Sequence, residues 1–474
     1  MARQLLLVRA LALIAPMLCL LLLPSTGRAD NDLAPATAGQ ESRLDMKTGW
    51  GFFEGAEIKG GVYYFRRDRK RYDVKTETYE ENLNHSSLQG NVEFNSGFAG
   101  GVLGADFGVF GSHDLFNSGA VDHEMGFVPW SNPWHPDWSK TSTKDGSSIY
   151  KAVVKAKLGN FWTRAGLYQP EGPGVLGVNW SIMPGTYRGM NAGLDVGGFS
   201  LAAAWADAYK APWYTDLYSF KKNDGEGRVP WLWSLGARYA FDWGLTLEAA
   251  YGESLGHLKN AHLKSSYATP TSLGVLTVGY HLYAMADSDD SGTSTNDNFD
   301  GLAVQHFAFA KLETAPWTLR LEGTYTSAPT SSAVQQGQFA YRLTDRNGSS
   351  KGAYDVWWDA RSDWNADNEK AFFAGAQRAL DDLLPWQGFY VGAGAAVGFD
   401  GRGYGVDGRL SEWAVTGDIG YVRPDGPLKG AFVKFHYTEY INGTDDPSWT
   451  YRNAFQSERD FKLLVGIPFS FLSQ

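Results

Sequence analysis

The chain has 474 residues, with 42 Lys and Arg against 52 Asp and Glu, 56 Gly, and 18 Trp, 24 Tyr and 27 Phe. This acidic excess excludes a nucleic-acid partner held by phosphate neutralisation, and the single cysteine, Cys19, excludes a disulfide framework or a thiolate metal centre. After the first 29 residues no apolar run is long enough for a membrane helix, whereas abundant Gly and aromatic residues suit a membrane barrel with tight interior packing and aromatic girdles.

Arg3 and Arg9, the apolar run Ala10 to Leu23, and Gly27-Arg28-Ala29 form the three parts of a secretory leader, so residues 1–29 are expected to be removed before Asp30. Taking Arg3, Arg9 and Arg28 from the 42 basic residues leaves 39 against 52 acidic ones. Residues 30–56 are an N-terminal segment without an assigned place, and 57–474 read as one barrel domain with no internal boundary.

The run Arg66-Arg67-Asp68-Arg69-Lys70-Arg71 follows a first apolar strand and is expected to be a solvated strand end. From Leu103 to Phe110, Leu103, Ala105, Phe107 and Val109 share one face, while Gly104, Asp106, Gly108 and Phe110 share the other. Tyr150 to Leu158 puts Tyr150, Ala152, Val154, Ala156 and Leu158 toward lipid and Lys151, Val153, Lys155 and Lys157 toward water. After the tight link Gly159-Asn160, Phe161, Thr163, Ala165 and Leu167 oppose Trp162, Arg164, Gly166 and Tyr168.

The same alternation returns at 235–241, where Arg238 lies on the non-lipid face, and at 245–251 after a turn at Asp242-Trp243-Gly244. It continues at 319–325, where Arg320, Glu322 and Thr324 face inward, and at 431–438 with Lys434 and His436 inward. The last strand, Phe461 to Phe471, alternates Phe461, Leu463, Val465, Ile467, Phe469 and Phe471 with Lys462, Gly466 and Ser470. Long polar or Gly/Pro segments at 113–145, 169–188, 209–227, 287–300, 328–367 and 400–409 separate strands that are otherwise joined by tight turns. Long loops at one end and short turns at the other are the pattern of bacterial porins, and the mature length accommodates roughly 16 to 18 strands around an aqueous channel.

Four blocks carry a resemblance. They are Tyr150 through Met183-Pro184-Gly185-Thr186-Tyr187-Arg188-Gly189; Tyr209-Lys210-Ala211-Pro212-Trp213; Asp355-Val356-Trp357-Trp358-Asp359-Ala360-Arg361-Ser362-Asp363-Trp364-Asn365; and Thr438-Glu439-Tyr440 with the later Phe455-Gln456-Ser457-Glu458-Arg459-Asp460. Together they resemble the chitoporin branch of the OprD-type outer-membrane porin family, in order from about Gly60 to Phe471. The resemblance implies an all-β transmembrane antiparallel barrel of eighteen strands, with long extracellular loops partly folded into the lumen. It implies a channel without enzymatic activity, metal or cofactor, in the outer membrane of a Gram-negative bacterium. Its expected solutes are chito-oligosaccharides, and its expected partners are outer-membrane lipids, lipopolysaccharide and the barrel assembly machinery. A monomer is expected, with a trimer as the alternative.

Charged side chains are disfavoured on a lipid face, so Lys151, Lys155, Lys157, Arg164, Arg238 and Arg320 are expected to line the pore as a basic ladder. The alternative is a charge-paired wall in which Asp106, Glu248 and Glu322 neutralise them. Trp180, Tyr187, Trp213, Trp357 and Trp358 lie in loop blocks, where stacking on the C–H faces of pyranose rings explains them better than a membrane girdle does. Asp359, Arg361 and Asp363, beside Asp355 and Asn365, are expected to meet hydroxyl and acetamido groups. A channel for amino acids or small carboxylates is the competing reading, and a barrel enzyme the second. The cluster His113, Asp122, His123, Glu124 and His135 has no ligand spacing that marks a metal site.

Overall fold

The alternation is realised as strands throughout the computed structural model, which describes residues 51–73, 75–119, 145–178, 185–211, 217–222, 227–288, 298–332, 334, 337–344, 354–405, 408–444 and 456–472. Seven strands open the chain: β1 (Glu57–Asp73), β2 (Thr78–Asn95), β3 (Leu103–Gly119), β4 (Gly146–Leu158), β5 (Phe161–Tyr168), β6 (Thr186–Val196) and β7 (Phe199–Lys210). Two short strands, β8 (Tyr218–Lys221) and β9 (Arg228–Val229), pair with each other above β7. Eleven more complete the wall: β10 (Leu232–Ala240), β11 (Leu245–Ser254), β12 (Leu258–Pro270), β13 (Val275–Asp287), β14 (Leu302–Glu313), β15 (Trp317–Ser327), β16 (Lys370–Ala379), β17 (Phe389–Gly401), β18 (Leu410–Val422), β19 (Phe432–Asn442) and β20 (Glu458–Leu472).

Every wall strand pairs antiparallel with its neighbour in sequence, β7 pairs with β10, and β20 returns to β1 from Glu57↔Leu472 to Arg71↔Glu458. The result is a closed barrel of eighteen strands. Closure leaves no unpaired edge, which is what the apolar membrane interior demands of backbone N–H and C=O groups. Both ends of the wall, Glu57 and Leu472, lie at the end that carries the short turns; the long connections 169–185, 211–231, 328–369 and 443–457 all lie at the other.

The two faces separate as the sequence predicts. Leu103, Phe107, Leu235, Leu247, Leu321, Phe435 and Ile467 are exposed on the outside, while Asp106, Arg164, Ser234, Thr324, His436 and Lys462 are buried within. One assignment is corrected. Tyr150 is buried rather than lipid-facing, because Gly108 pairs with Lys151 while Val109 pairs with Ile149, leaving Tyr150 as the extra residue of a β-bulge. Its ring meets Phe110 edge-on and its hydroxyl donates to Glu93 at 2.8 Å, so it belongs to the lumen.

The basic run is the second correction. It lies within β1 rather than beyond it, and its alternate members face opposite ways: Arg67 and Arg69 are only 1% and 2% exposed and point inward. The N-terminal residues 51–56 cap the turn end, where Gly97 N–H donates to the Phe52 carbonyl at 2.9 Å and Phe52 packs near Phe94. Among the described residues, no helix is long and apolar enough to cross a membrane.

Candidate functional site

The lumen is narrowed by two of its own loops. After β5, residues 169–178 run down the inner wall, where Val175 N–H donates to Ser234 Oγ at 2.8 Å. The wall makes room by omitting side chains: a Cβ at Gly236 would lie 2.5 Å from Pro173, and one at Gly252 would lie 2.3 Å from Val175. The second loop, between β15 and β16, carries a strap, residues 354–369, that alternates like a strand but pairs with no strand through most of its length. Tyr354, Val356, Trp358, Ala360, Ser362 and Trp364 are buried against the wall, whereas the alternate row is less buried, Asp355 and Trp357 exposed and Asp359, Arg361 and Asp363 half-buried.

The buried row is the anchor. Trp358 stacks on Phe373 of β16 with centroids 5.5 Å apart and planes 15° apart, and its indole N–H donates to Glu322 Oε2 at 2.7 Å. Tyr354 stacks on Tyr341 and donates to Gln305, and Trp364 lies edge-on to Tyr440. Asp359, Arg361 and Trp364 all hold positive φ, a sparsely populated region for residues with a Cβ that persists only where surrounding contacts impose it.

Those contacts are ionic at both ends of the outbound leg. Asp355 meets Lys264 Nζ at 2.7 Å, His281 Nδ1 at 3.1 Å and the Tyr283 hydroxyl at 3.0 Å, all from β12 and β13. Asp359 meets Lys462 Nζ at 2.5 Å on β20 and His436 Nε2 at 3.4 Å on β19, and its carbonyl accepts from Thr438 Oγ1 at 3.0 Å. Enclosure within the barrel pushes both carboxyl groups up. Lys264 with His281 outweighs this at Asp355, and Lys462 with His436 and Lys434 outweighs it at Asp359, so both stay well below the usual aspartate range. The strap therefore spans from the β12–β13 wall to the β19–β20 wall, and between them Arg320 donates to the Trp357 carbonyl at 3.3 Å.

Beyond Asp359, Arg361 Nε donates to Glu458 at 2.5 Å. Around Glu458 and Asp460 the inward members of β1 converge: Arg67 holds Asp460 with two bonds of 2.8 and 2.5 Å, Arg71 reaches Glu458 at 2.6 Å, and Arg69 lies 3.9 Å from Glu458. Among the described residues, four guanidinium groups converge on two carboxylates here. Sequence reasoning missed this cluster because six consecutive polar residues look solvated; carrying the lipid-facing phase of Ile58 and Val62 forward puts Arg67, Arg69 and Arg71 inside.

The expected ladder faces the lumen and is mostly paired. Lys155 bonds Asp106 at 2.6 Å, Lys151 bonds Glu93 at 2.5 Å, and Arg320 bonds Glu322 at 2.6 Å. Arg164 pairs with Glu171 of the first inward loop, and Arg238 lies 3.7 Å from Glu248. Lys157 has no ion-pair partner among the described residues. Of the aromatic candidates, Trp357 is 37% exposed, Trp358 5%, and Tyr187 fully buried with its hydroxyl donating to the Gly177 carbonyl. Trp180 and Trp213 lie outside the described residues, as do Asp122, His123, Glu124 and His135. His113 bonds Asp145 at 2.5 Å, an exposed pair at the rim.

A closed antiparallel barrel whose passage is shaped by its own inward loops and lined by paired charges is an outer-membrane diffusion channel. This chain belongs to the OprD family of outer membrane porins, whose family model matches residues 50–471. It is 38% identical over 443 residues to the chitoporin of Escherichia coli strain K12, covering 89% of this chain and 92% of that one. In fold it is similar to OccK9 (OpdG) of Pseudomonas aeruginosa, with TM-score 0.71 at 16% identity over 89% of this chain and all of that one. OccAB2 of Acinetobacter baumannii gives TM-score 0.69 at 18% identity, again over 89% of this chain and 100% of the other.

Proposed function

We propose that this channel carries chito-oligosaccharides across the outer membrane by passive diffusion, and that the channel-facing row of the strap contacts them. The observation that carries the reading is the row itself: Trp357, exposed, stands between Asp355 and Asp359, each carboxylate oriented by a lysine and a histidine of the wall. Alternate residues of an extended segment lie roughly 6.6 Å apart. A pyranose stacked on the indole thus has an acceptor on either side for hydroxyl or acetamido N–H groups, with Arg361 and Asp363 continuing the row. Trp358 and Tyr187 support the loops from behind, and Trp180 and Trp213 are proposed as further stacking positions.

Similarity to the Escherichia coli chitoporin supports this reading. Pairing of Lys151, Lys155 and Arg320 leaves these three little to offer an anion. The same reading has the leader 1–29 cleaved on export, the barrel inserted by the assembly machinery among lipopolysaccharide, and a monomer, with a trimer as the alternative, in which each chain encloses its own passage. Single-channel recording tests the substrate: chito-oligosaccharides should interrupt the current with longer dwell times than maltose oligomers of equal length. Equal dwell times for the two sugars would overturn the assignment.

A further inference from the structure

The return leg of the strap, residues 362–369, is docked by different chemistry from the outbound leg. There each carboxylate meets a cation; here two carboxyl groups, Glu369 at 1% and Glu412 at 0% exposure, are buried against each other. They converge over Gly398 of β17, where a Cβ would lie 2.2 Å from Glu369 Oε1 and 3.2 Å from Glu412 Cγ. Glu412 accepts from Ser362 Oγ at 2.7 Å and from the Tyr440 hydroxyl at 2.5 Å. Glu369 Oε2 accepts from Ala366 N–H at 2.9 Å, and its Oε1 meets no N–H or O–H donor among the described residues.

The other charged groups that face this site do not neutralise it. Asp363 on the strap and Glu458 on β20, beyond Tyr440, are both acidic. The cations nearby are engaged: Lys370 with Asp400 at 2.9 Å, Arg361 with Glu458, and Arg402 beside Asp367. Two buried carboxyl groups in contact and without a counter-charge do not both ionise, because desolvation and mutual repulsion act in the same direction. A proton between them also satisfies the oxygen left without a donor.

We propose that Glu369 and Glu412 share one proton and form a positioning latch that docks the return leg of the strap against β18 and β19, so that the geometry of the passage depends on pH. For its sugar arm the proposal rests on the strap being the sugar contact; its conductance arm does not. Burial, followed by the charge of Glu412, pushes the Glu369 carboxyl well above its ordinary value of 4.5. The sign follows: a released leg titrates as an ordinary solvated glutamate, so docking is at full strength below 4.5 and weakens steadily as pH rises toward the higher value of docked Glu369.

The test uses the full-length porin in planar bilayers, first in salt alone and then with chito-oligosaccharide, from about pH 4.5 to about pH 9. Between those limits the wild type should show open-channel current noise rising, and sugar dwell time falling, on the order of threefold or more. Glu369→Gln, which keeps shape and supplies a permanent donor to Glu412, should stay quiet and flat over the range. Glu412→Gln provides the same test with the donor reversed, should the first variant not assemble. His281 and His436 brace the other leg, and both are present alike in the wild type and the two variants. A wild-type profile that is flat in salt alone, or glutamine variants that follow the wild-type profile, would overturn the latch. Absence of sugar block at every pH, with the noise profile as expected, would instead overturn the substrate reading and leave the latch standing.

Discussion

Trp357 and Trp358 are adjacent in sequence and opposite in role, and separating them is the sharpest test of the strap. Trp357 is 37% exposed, so Trp357→Ala removes a stacking surface and leaves the docking contacts of Asp355, Trp358 and Asp359 in place. An aromatic contact of about 0.5–1.5 kcal/mol corresponds to a sugar dwell time shortened roughly 2- to 12-fold, with the open-channel current unchanged or slightly larger. Trp358 is 5% exposed, stacked on Phe373, and donates to Glu322. Trp358→Ala opens a cavity behind the strap, a change that costs about 3–5 kcal/mol in well-packed sites, and it also strips Glu322 of its indole donor. Its signature is an unsteady open-channel baseline without sugar. Single-channel recording of both variants, with and without chito-oligosaccharide, reads the two effects separately. A quiet baseline in Trp358→Ala, or an unchanged dwell time in Trp357→Ala, would refute the division of labour.

Three further outcomes are expected. Lys157→Gln should shift the reversal potential in a salt gradient toward cations, whereas Lys155→Gln combined with Asp106→Asn, which removes a bonded pair without changing net charge, should leave it nearly unmoved. Arg67→Met takes two hydrogen bonds from Asp460 at 0% exposure, leaving it Arg361 and Lys462 each 3.9 Å away, and loss of one partner of a buried pair costs up to about 3–5 kcal/mol, so the barrel should lose its heat-resistant gel mobility at a lower temperature. Asp355 and Asp359 are held below the ordinary aspartate value of 3.8, so their share of docking is complete above that value and is lost only as pH falls beneath it. Accordingly, acidification from neutrality to about pH 4.5 should not loosen the outbound leg, as judged by baseline noise in Glu369→Gln.

Much of the wall was legible because one physical rule, lipid on one face and water on the other, repeats every second residue; Leu103 to Phe110 and Phe461 to Ile467 alternate in exposure as it requires, although Phe110 and Leu464 put apolar side chains on the inner face. Tyr150 escaped the rule because one inserted residue reverses the phase, and nothing in a tyrosine flanked by isoleucine and lysine announces a bulge. Arg67 and Arg69 escaped because the pairing that makes their burial tolerable comes from Asp460 and Glu458, almost four hundred residues later. The strap is recognisable in the sequence as a loop block, yet without strand partners its alternation gives no reason to assign it two faces, and so nothing separates Trp357 from Trp358. Glu369 and Glu412 carried no signal, since a shared proton depends on proximity that only the closed wall creates.

Dividing the strap into two interleaved rows has a consequence for how such a channel changes over generations. Substitutions at Trp357 or Asp363 alter what a passing solute touches, while Val356, Trp358 and Ala360 keep the segment seated in the same wall. Specificity can thus drift at alternate positions of a single eleven-residue stretch, 354–364, with the eighteen-stranded scaffold untouched. Asp355, Asp359 and Arg361 are the exceptions, because each serves both rows at once, and they are where a change of diet for the cell would carry a structural cost.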